Sequence, residues 1–194
     1  MIRTGIYGGS FNPIHNGHIG LVRHILQQGL VDEVWLVVSP QNPFKADAAL
    51  LDERMRLHLT RLAVEDEPGI EVSDVEFSLP RPSFMSVTLR TLSLRHPEHQ
   101  FSLIIGADNW ERFPQWHEAD WILAHYPLIV FPRPGYTLDE MPPDVRKADT
   151  PLFDISSTEI RSRISASTYN GEGLPQKVWA EIQAKKYYQK QKQE

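Results

Sequence analysis

Residues 2–7 form a short, largely apolar run that closes on Gly8 and Gly9, and beyond them Ile19, Leu21, Val22, Ile25 and Leu26 recur at helical spacing. The first pattern predicts a β-strand and the second a helix, joined by a polar turn that carries glycine. Residues 32–39 contain the unbroken apolar run Val34-Trp35-Leu36-Val37-Val38, the composition of a buried parallel strand. Residues 51–64 place Met55, Leu59, Leu62 and Ala63 on one side and Arg54, Arg56 and Arg61 elsewhere, which predicts an amphipathic helix. Further strands are predicted at 70–73, 101–105 and 128–131, and helices at 83–94, closed by His96-Pro97, and at 119–124. Residues 132–151, rich in Pro, Gly and acid, read as a loop. Residues 152–155 read as a short last strand, and 156–165 and 175–188 as the closing helices. Alternating strands and helices imply an α/β fold with a mostly parallel sheet and helices on both faces.

With 194 residues the chain is long enough for one sizeable core, and 1–194 reads as a single domain without repeats or a long linker. A hydrophobic share of 41% and a charged share of 23% are ordinary for a globular protein. No cysteine is present, which excludes disulfides and thiolate metal sites and fits a reducing cytoplasm. The N-terminus lacks a charged-then-apolar leader, and no apolar run approaches the ~20 residues of a membrane span. A formal net charge of −5 argues against bulk nucleic-acid binding. The lysine-rich end, 185–192, reads as a solvated helix end, where cations suit the helix dipole. An anionic nucleotide would have to be drawn by a local positive cluster.

The turn from Gly8 to His18 is where such a cluster is expected. Open α/β sheets bind phosphates between the carboxyl end of a strand and the start of a helix. Gly8 and Gly9 let backbone approach a ligand, Pro13 stiffens the loop, and His15 and His18 fall at or one turn inside the helix start. Neither the P-loop pattern nor G-x-G-x-x-G occurs in this turn, and a metal site built on His15 and His18 lacks a nearby third ligand. A second constellation lies at Ile155-Ser156-Ser157-Thr158-Glu159-Ile160-Arg161. There Ser156 or Ser157 can cap a helix whose first N–H groups face an anion, with Arg161 about one turn inside to fork two phosphate oxygens.

Gly9, Phe11, Pro13, His15, Gly17 and His18 match the G-x-F-x-P-x-H-x-G-H signature of the nucleotidyltransferase superfamily, and residues 155–161 resemble its I-S-S-T-x-[IV]-[RK] motif. Members move a nucleotide monophosphate from ATP or CTP onto an acceptor. The resemblance implies a Rossmann-like, doubly wound sheet, with His15 and His18 at the triphosphate and Arg161 at the departing pyrophosphate. It also implies ATP contacts from Gly8, Gly9, Ser10, Phe11, Gly17, Ser156, Ser157 and Thr158.

Three further stretches resemble the bacterial nicotinate-nucleotide adenylyltransferases: Pro40-Gln41-Asn42-Pro43-Phe44-Lys45, Gly106-Ala107-Asp108 followed by Trp116, and Arg133-Pro134-Gly135. These imply Lys45 on the phosphates and Gly106 and Asp108 on the ATP side, Asp108 at a ribose. Asn42, Met85, Trp116, His117 and Arg133 are implied on the nicotinate nucleotide, with the Trp116 indole stacked on the pyridine. The stretch Pro82-Ser83-Phe84-Met85-Ser86-Val87-Thr88-Leu89 departs from that branch, with Met85 in place of a threonine and Val87 of an aspartate. The expected partners are ATP and nicotinate mononucleotide, with no nucleic acid and no membrane. Mg²⁺ is expected with the ATP phosphates, held by phosphate and water and not by a protein cage. Phosphopantetheine adenylyl transfer and a non-catalytic nucleotide-binding regulatory module are the alternatives.

Overall fold

The computed structural model describes residues 1–40, 50–138 and 141–189. Six strands, β1 (Ile2–Gly9), β2 (Glu33–Val38), β3 (Ile70–Ser73), β4 (His99–Gly106), β5 (Leu128–Phe131) and β6 (Val145–Lys147), form one sheet in the order β3-β2-β1-β4-β5-β6. Every neighbouring pair is parallel. The helices are α1 (Asn16–Gln27), α2 (Glu53–Val64), α3 (Met85–Arg95), α4 (Ala107–Arg112), α5 (Ala119–His125), α6 (Ser157–Ser165) and α7 (Gln176–Lys185).

Both faces of the sheet are buried, and strand period two divides the core. Val34, Leu36, Val38, Ile104, Ile129 and Phe131 face one layer, made by α1, α2, α6 and α7. Val37, Leu103, Ile105, Leu128 and Val130 face the other, made chiefly by α3 and α5. The strand order reverses between β1 and β4, so the crevice beyond their carboxyl ends is the topological switch point where doubly wound sheets take ligands. Gly8 and Gly9 end β1 there, and Gly106 ends β4.

Four local expectations are corrected. The last strand is β6, inside the stretch read as a loop, and residues 152–155 are not a strand. β6 is a polar edge strand with only Val145 buried, so it lacks the apolar run that marks the others. Phe153 and Ile155 instead pack on the α1 side of the core, and Leu152 is exposed. The third helix starts at Met85, with Ser83 and Phe84 ahead of it, and Leu94 on it is exposed. α4, a helix not predicted from the sequence, follows Gly106 directly, so Asp108 lies in its first turn. Arg56, set by its spacing off the apolar side of α2, is 1% exposed.

Candidate active site

β1 delivers the chain into a turn where Phe11 takes a positive φ of 42° and the Asn12–Pro13 peptide is cis. His15 is the N-cap of α1, with extended backbone, and His18 is its third residue. The two imidazoles stack with centroids 3.7 Å apart, and Phe11 stands edge-on to His18. The His15 backbone N–H donates to His18 Nδ1 at 3.2 Å. That bond leaves the His18 proton on Nε2, as a donor free for a ligand. Gly17 is needed here for close approach, because a Cβ on it would lie 3.0 Å from His15 Nδ1.

Burial, then Arg133, pushes His15 down to about 3. Burial, then His15, then Arg133, holds His18 well below the ordinary imidazole range. Both rings are therefore neutral donors in the free protein. The unfolded chain takes up a proton near pH 6.5 that folded His15 refuses, so stability is full above that pH and falls as pH drops toward 3. For His15 the loss at pH 5 is expected to be about 2 kcal/mol. Urea midpoints at pH 7.5 and 5.0 measure it, and His15→Gln should remove that part of the drop. An unchanged pH dependence in the variant means that His15 is not the group responsible.

α6 docks onto the same turn. Ser156 caps it, its Oγ accepting the Glu159 N–H at 3.5 Å, and Ser157 Oγ donates to the Pro13 carbonyl at 2.9 Å. Thr158 follows, its Oγ1 3.4 Å from Arg161 Nη2, while Arg161 Nη1 donates to the Asn12 carbonyl at 2.8 Å. Residues 144 or more positions apart in sequence thus meet, as the two motifs together predicted. Arg133 leaves the end of β5 beside Phe131, with Nε 3.5 Å from Asp108 Oδ1, too long for a good hydrogen bond. Tyr7, His15, Gly17, His18, Arg133 and Thr150 line a narrow cleft of about 20 Å³. Buried His15 Nδ1, Asp108 Oδ1 and Thr150 Oγ1 have no hydrogen-bond partner among the described residues. Arg133, expected on the nicotinate nucleotide, is placed by the fold beside the histidines.

Tyr7 also borders a second, larger cavity of about 400 Å³, whose walls include Gly8, Gly9, Met85, Trp116 and His117. The Met85 side chain reaches over Gly8, where a Cβ would meet its methyl at 2.7 Å. Phe84, the N-cap of α3, supplies no side-chain cap, so first-turn N–H groups of α3 face this region. Phe84 stacks on His117 at 4.4 Å, His117 Nδ1 lies 3.2 Å from Ser86 Oγ, and Trp116 is tilted against Phe113. Asn42 and Lys45 lie outside the described residues.

Sequence reasoning missed Glu76 in this cavity. It sits in a 3₁₀ turn, Val75–Ser78, is 3% exposed, and accepts from Thr88 Oγ1 at 2.8 Å, with the Ser39 and Ser83 side chains beside its carboxyl. Burial holds its carboxyl above the ordinary range. A lone acid between the apolar Val75 and Phe77 was the available signal. Among the described residues, one group able to hold a metal, His96, Glu98 and His99, forms away from both cavities.

Residues 6–163 match the family model described as cytidylyltransferase-like. A probable nicotinate-nucleotide adenylyltransferase of Bacteroides fragilis is 47% identical over 165 residues, covering 84% of this chain and 82% of that protein. One of Flavobacterium johnsoniae is 38% identical, covering 97% of this chain and 100% of the other. The Plasmodium falciparum nicotinic acid mononucleotide adenylyltransferase complexed with NaAD superposes with a TM-score of 0.81 at 20% identity, covering 97% of this chain and 98% of that one, a likeness of fold.

Proposed function

The chain belongs to the nicotinate-nucleotide adenylyltransferases, within the cytidylyltransferase-like family, and from that premise we propose how its two cavities divide the reaction. The activity is adenylyl transfer from ATP to nicotinate mononucleotide, giving nicotinate adenine dinucleotide and pyrophosphate. An oxygen of the acceptor 5′-phosphate bonds to the α-phosphorus, and the bond from that phosphorus to the bridging oxygen breaks. Pyrophosphate leaves with the electron pair. The nucleophile is already ionised near neutral pH, so no residue has to remove a proton. Catalysis is alignment plus stabilisation of charge on the α-phosphate.

One observation carries this division: Tyr7 is a shared wall between the His15–His18 cleft and the Trp116 cavity. The α-phosphate is assigned to the boundary, with ATP on the histidine side and the nicotinate ring against Trp116. His18 donates from Nε2–H to an α-phosphate oxygen, with His15 beside it. Arg161 and Lys45 act on the phosphates, and the N-terminal turn of α6 faces pyrophosphate. We place Arg133, with Asp108, on the ATP side, a reading supported by its position beside the histidines. The described groups around the histidines are imidazoles, guanidinium groups, Tyr7, Thr150 and the single carboxylate of Asp108, which suit phosphate and ribose oxygens but supply one carboxylate and not the oxygen set of an octahedral cage. Mg²⁺ bound to ATP would accordingly be held by that substrate's phosphates and water, and would supply charge neutralisation there.

The acceptor carboxylate is assigned to N–H groups at Met85 and His117. A backbone donor at Met85 needs no threonine hydroxyl, which accommodates the departure from the branch pattern. The amide nucleotide presents an NH₂ to at least one of these donors, and an unpaired buried group costs about 1–3 kcal/mol. Nicotinate mononucleotide should therefore be preferred over the amide by roughly ten- to a hundred-fold in kcat/KM. Pyrophosphate release with ATP, Mg²⁺ and each of nicotinate mononucleotide, nicotinamide mononucleotide and phosphopantetheine tests this. Trp116→Ala should raise KM for the acid nucleotide and leave that for ATP near the parent value. Phosphopantetheine as best acceptor would overturn the substrate assignment, and no release with any acceptor would favour a regulatory module.

A further inference from the structure

We propose that His96, Glu98 and His99 form a site for a zinc-class divalent ion at the end of the sheet opposite the active-site crevice. α3 closes on His96 and β4 opens at His99, so Pro97 and Glu98 span a short turn at the amino ends of the strands. None of the three residues borders the cavities assigned to adenylyl transfer.

The three side chains offer ligand atoms within 4.8 Å of one another. Glu98 Oε1 lies 3.3 Å from His99 Nε2 and 3.6 Å from His96 Nδ1. Ligands held tetrahedrally around one ion at ~2.0–2.1 Å stand about 3.3–3.4 Å apart. Both separations are close to the edges of such a site, with water left to fill the fourth position.

The hydrogen bonds of His99 decide which nitrogen carries its proton. Thr4 has a single hydroxyl proton and donates it to Glu33 Oε1 at 3.0 Å; the same oxygen accepts Trp35 Nε1–H at 2.8 Å. Thr4 Oγ1, 2.7 Å from His99 Nδ1, is therefore the acceptor in that contact, and Nδ1 is the donor. With Nδ1 turned to Thr4 and 3.2 Å from Glu33 Oε1, Nε2 is the nitrogen that faces the Glu98 carboxylate oxygen, and a cation between the two makes that contact favourable. The ring is fixed in advance, stacked on Phe101 and tilted against Trp35. An oriented imidazole whose second nitrogen donates to an outer partner is the arrangement that metal sites use. His96, edge-on to Trp35, and Glu98 are more exposed, which gives an ion access from solvent. Two imidazoles and one carboxylate select Zn²⁺ and its neighbours over Mg²⁺.

Calorimetric titration of the untagged chain with Zn²⁺, and separately with Mg²⁺, tests the site. One stoichiometric Zn²⁺ site is expected, weakened at least tenfold in His96→Ala and in Glu98→Gln, with no saturable Mg²⁺ binding at this cluster. Both variants should keep parental adenylyl transfer without added Zn²⁺. Co²⁺ should give the visible absorption of a tetrahedral centre, lost in His96→Ala. Zn²⁺ binding of equal strength in parent and variants would place the ion on other residues among the eight histidines and overturn the proposal. Absence of a stoichiometric site in the parent would overturn it too, and would leave a proton as the cation between His99 and Glu98.

Discussion

Replacement of His18 by alanine is expected to lower kcat by roughly 10²–10⁴, the range for loss of a positioned donor at developing charge. The ring is aimed from behind, because the His15 N–H donates to Nδ1 at 3.2 Å and the His15 ring stacks on it at 3.7 Å. What remains for a substrate is Nε2–H, which gains most when charge shifts on the α-phosphate oxygens. The loss should therefore fall on kcat, with modest change in either KM. Thermal midpoint should barely move, since the aliphatic packing of α1 rests on Ile19, Leu21, Val22 and Ile25. Steady-state kinetics with a melting curve on the same preparation separate the cases. An active variant, or one that is merely unfolded, would return His18 to a structural role.

The parallel sheet and the phosphate-binding turn after β1 were legible because each rests on local chemistry, whereas the strand order that makes this turn a switch point was not read from the sequence. Unbroken apolar runs mark strands buried on both faces, and that signal located β2 and β5 to within a residue at each end, while the alternating Ile70–Ser73 at the other sheet edge was also read as a strand. It failed for β6, whose sequence Val-Arg-Lys buries one side chain at a sheet edge. It also misassigned 152–155, where the apolar residues serve the α1 layer and not a ladder. The positions of His15 and His18 at the start of α1, and of Arg161 about one turn inside α6, were legible from spacing, whereas the neutrality of both imidazoles was not, because it arises from burial and from Arg133 more than a hundred residues downstream. Arg133 was expected on the nicotinate nucleotide from resemblance alone, and its position beside Asp108 and the histidines was illegible for the same reason. Glu76 and the His96–Glu98–His99 cluster depend on where irregular turns end, and no periodicity encodes that.

Arg56 is the sharpest instance of the illegible part, and its loss should have the largest effect on stability. The α2 pattern treats it as one of several arginines away from the apolar side, yet its guanidinium is enclosed and donates to four carbonyls. These are Leu51 at 2.8 Å, Ser10 at 2.5 Å, Ser39 at 2.8 Å and Pro40 at 3.1 Å. One side chain thus ties the start of α2 to the signature turn after β1 and to the chain leaving β2. Burial lowers its affinity for the proton, with Tyr188, Glu53 and Asp52 acting the other way. Arg56→Ala orphans these carbonyls together and is expected to cost about 3–5 kcal/mol of unfolding free energy. Arg56→Lys should recover less than half of that, because a single ammonium cannot span four acceptors set by a planar fork. Ser10 follows Gly9 directly, so both variants should also lose kcat at temperatures where they remain folded. Urea unfolding followed by circular dichroism gives the first quantity, and turnover well below the midpoint gives the second. A variant within about 1 kcal/mol of the parent would show that the turn is held by its own backbone and by α6, through Ser157 and Arg161, and not by Arg56.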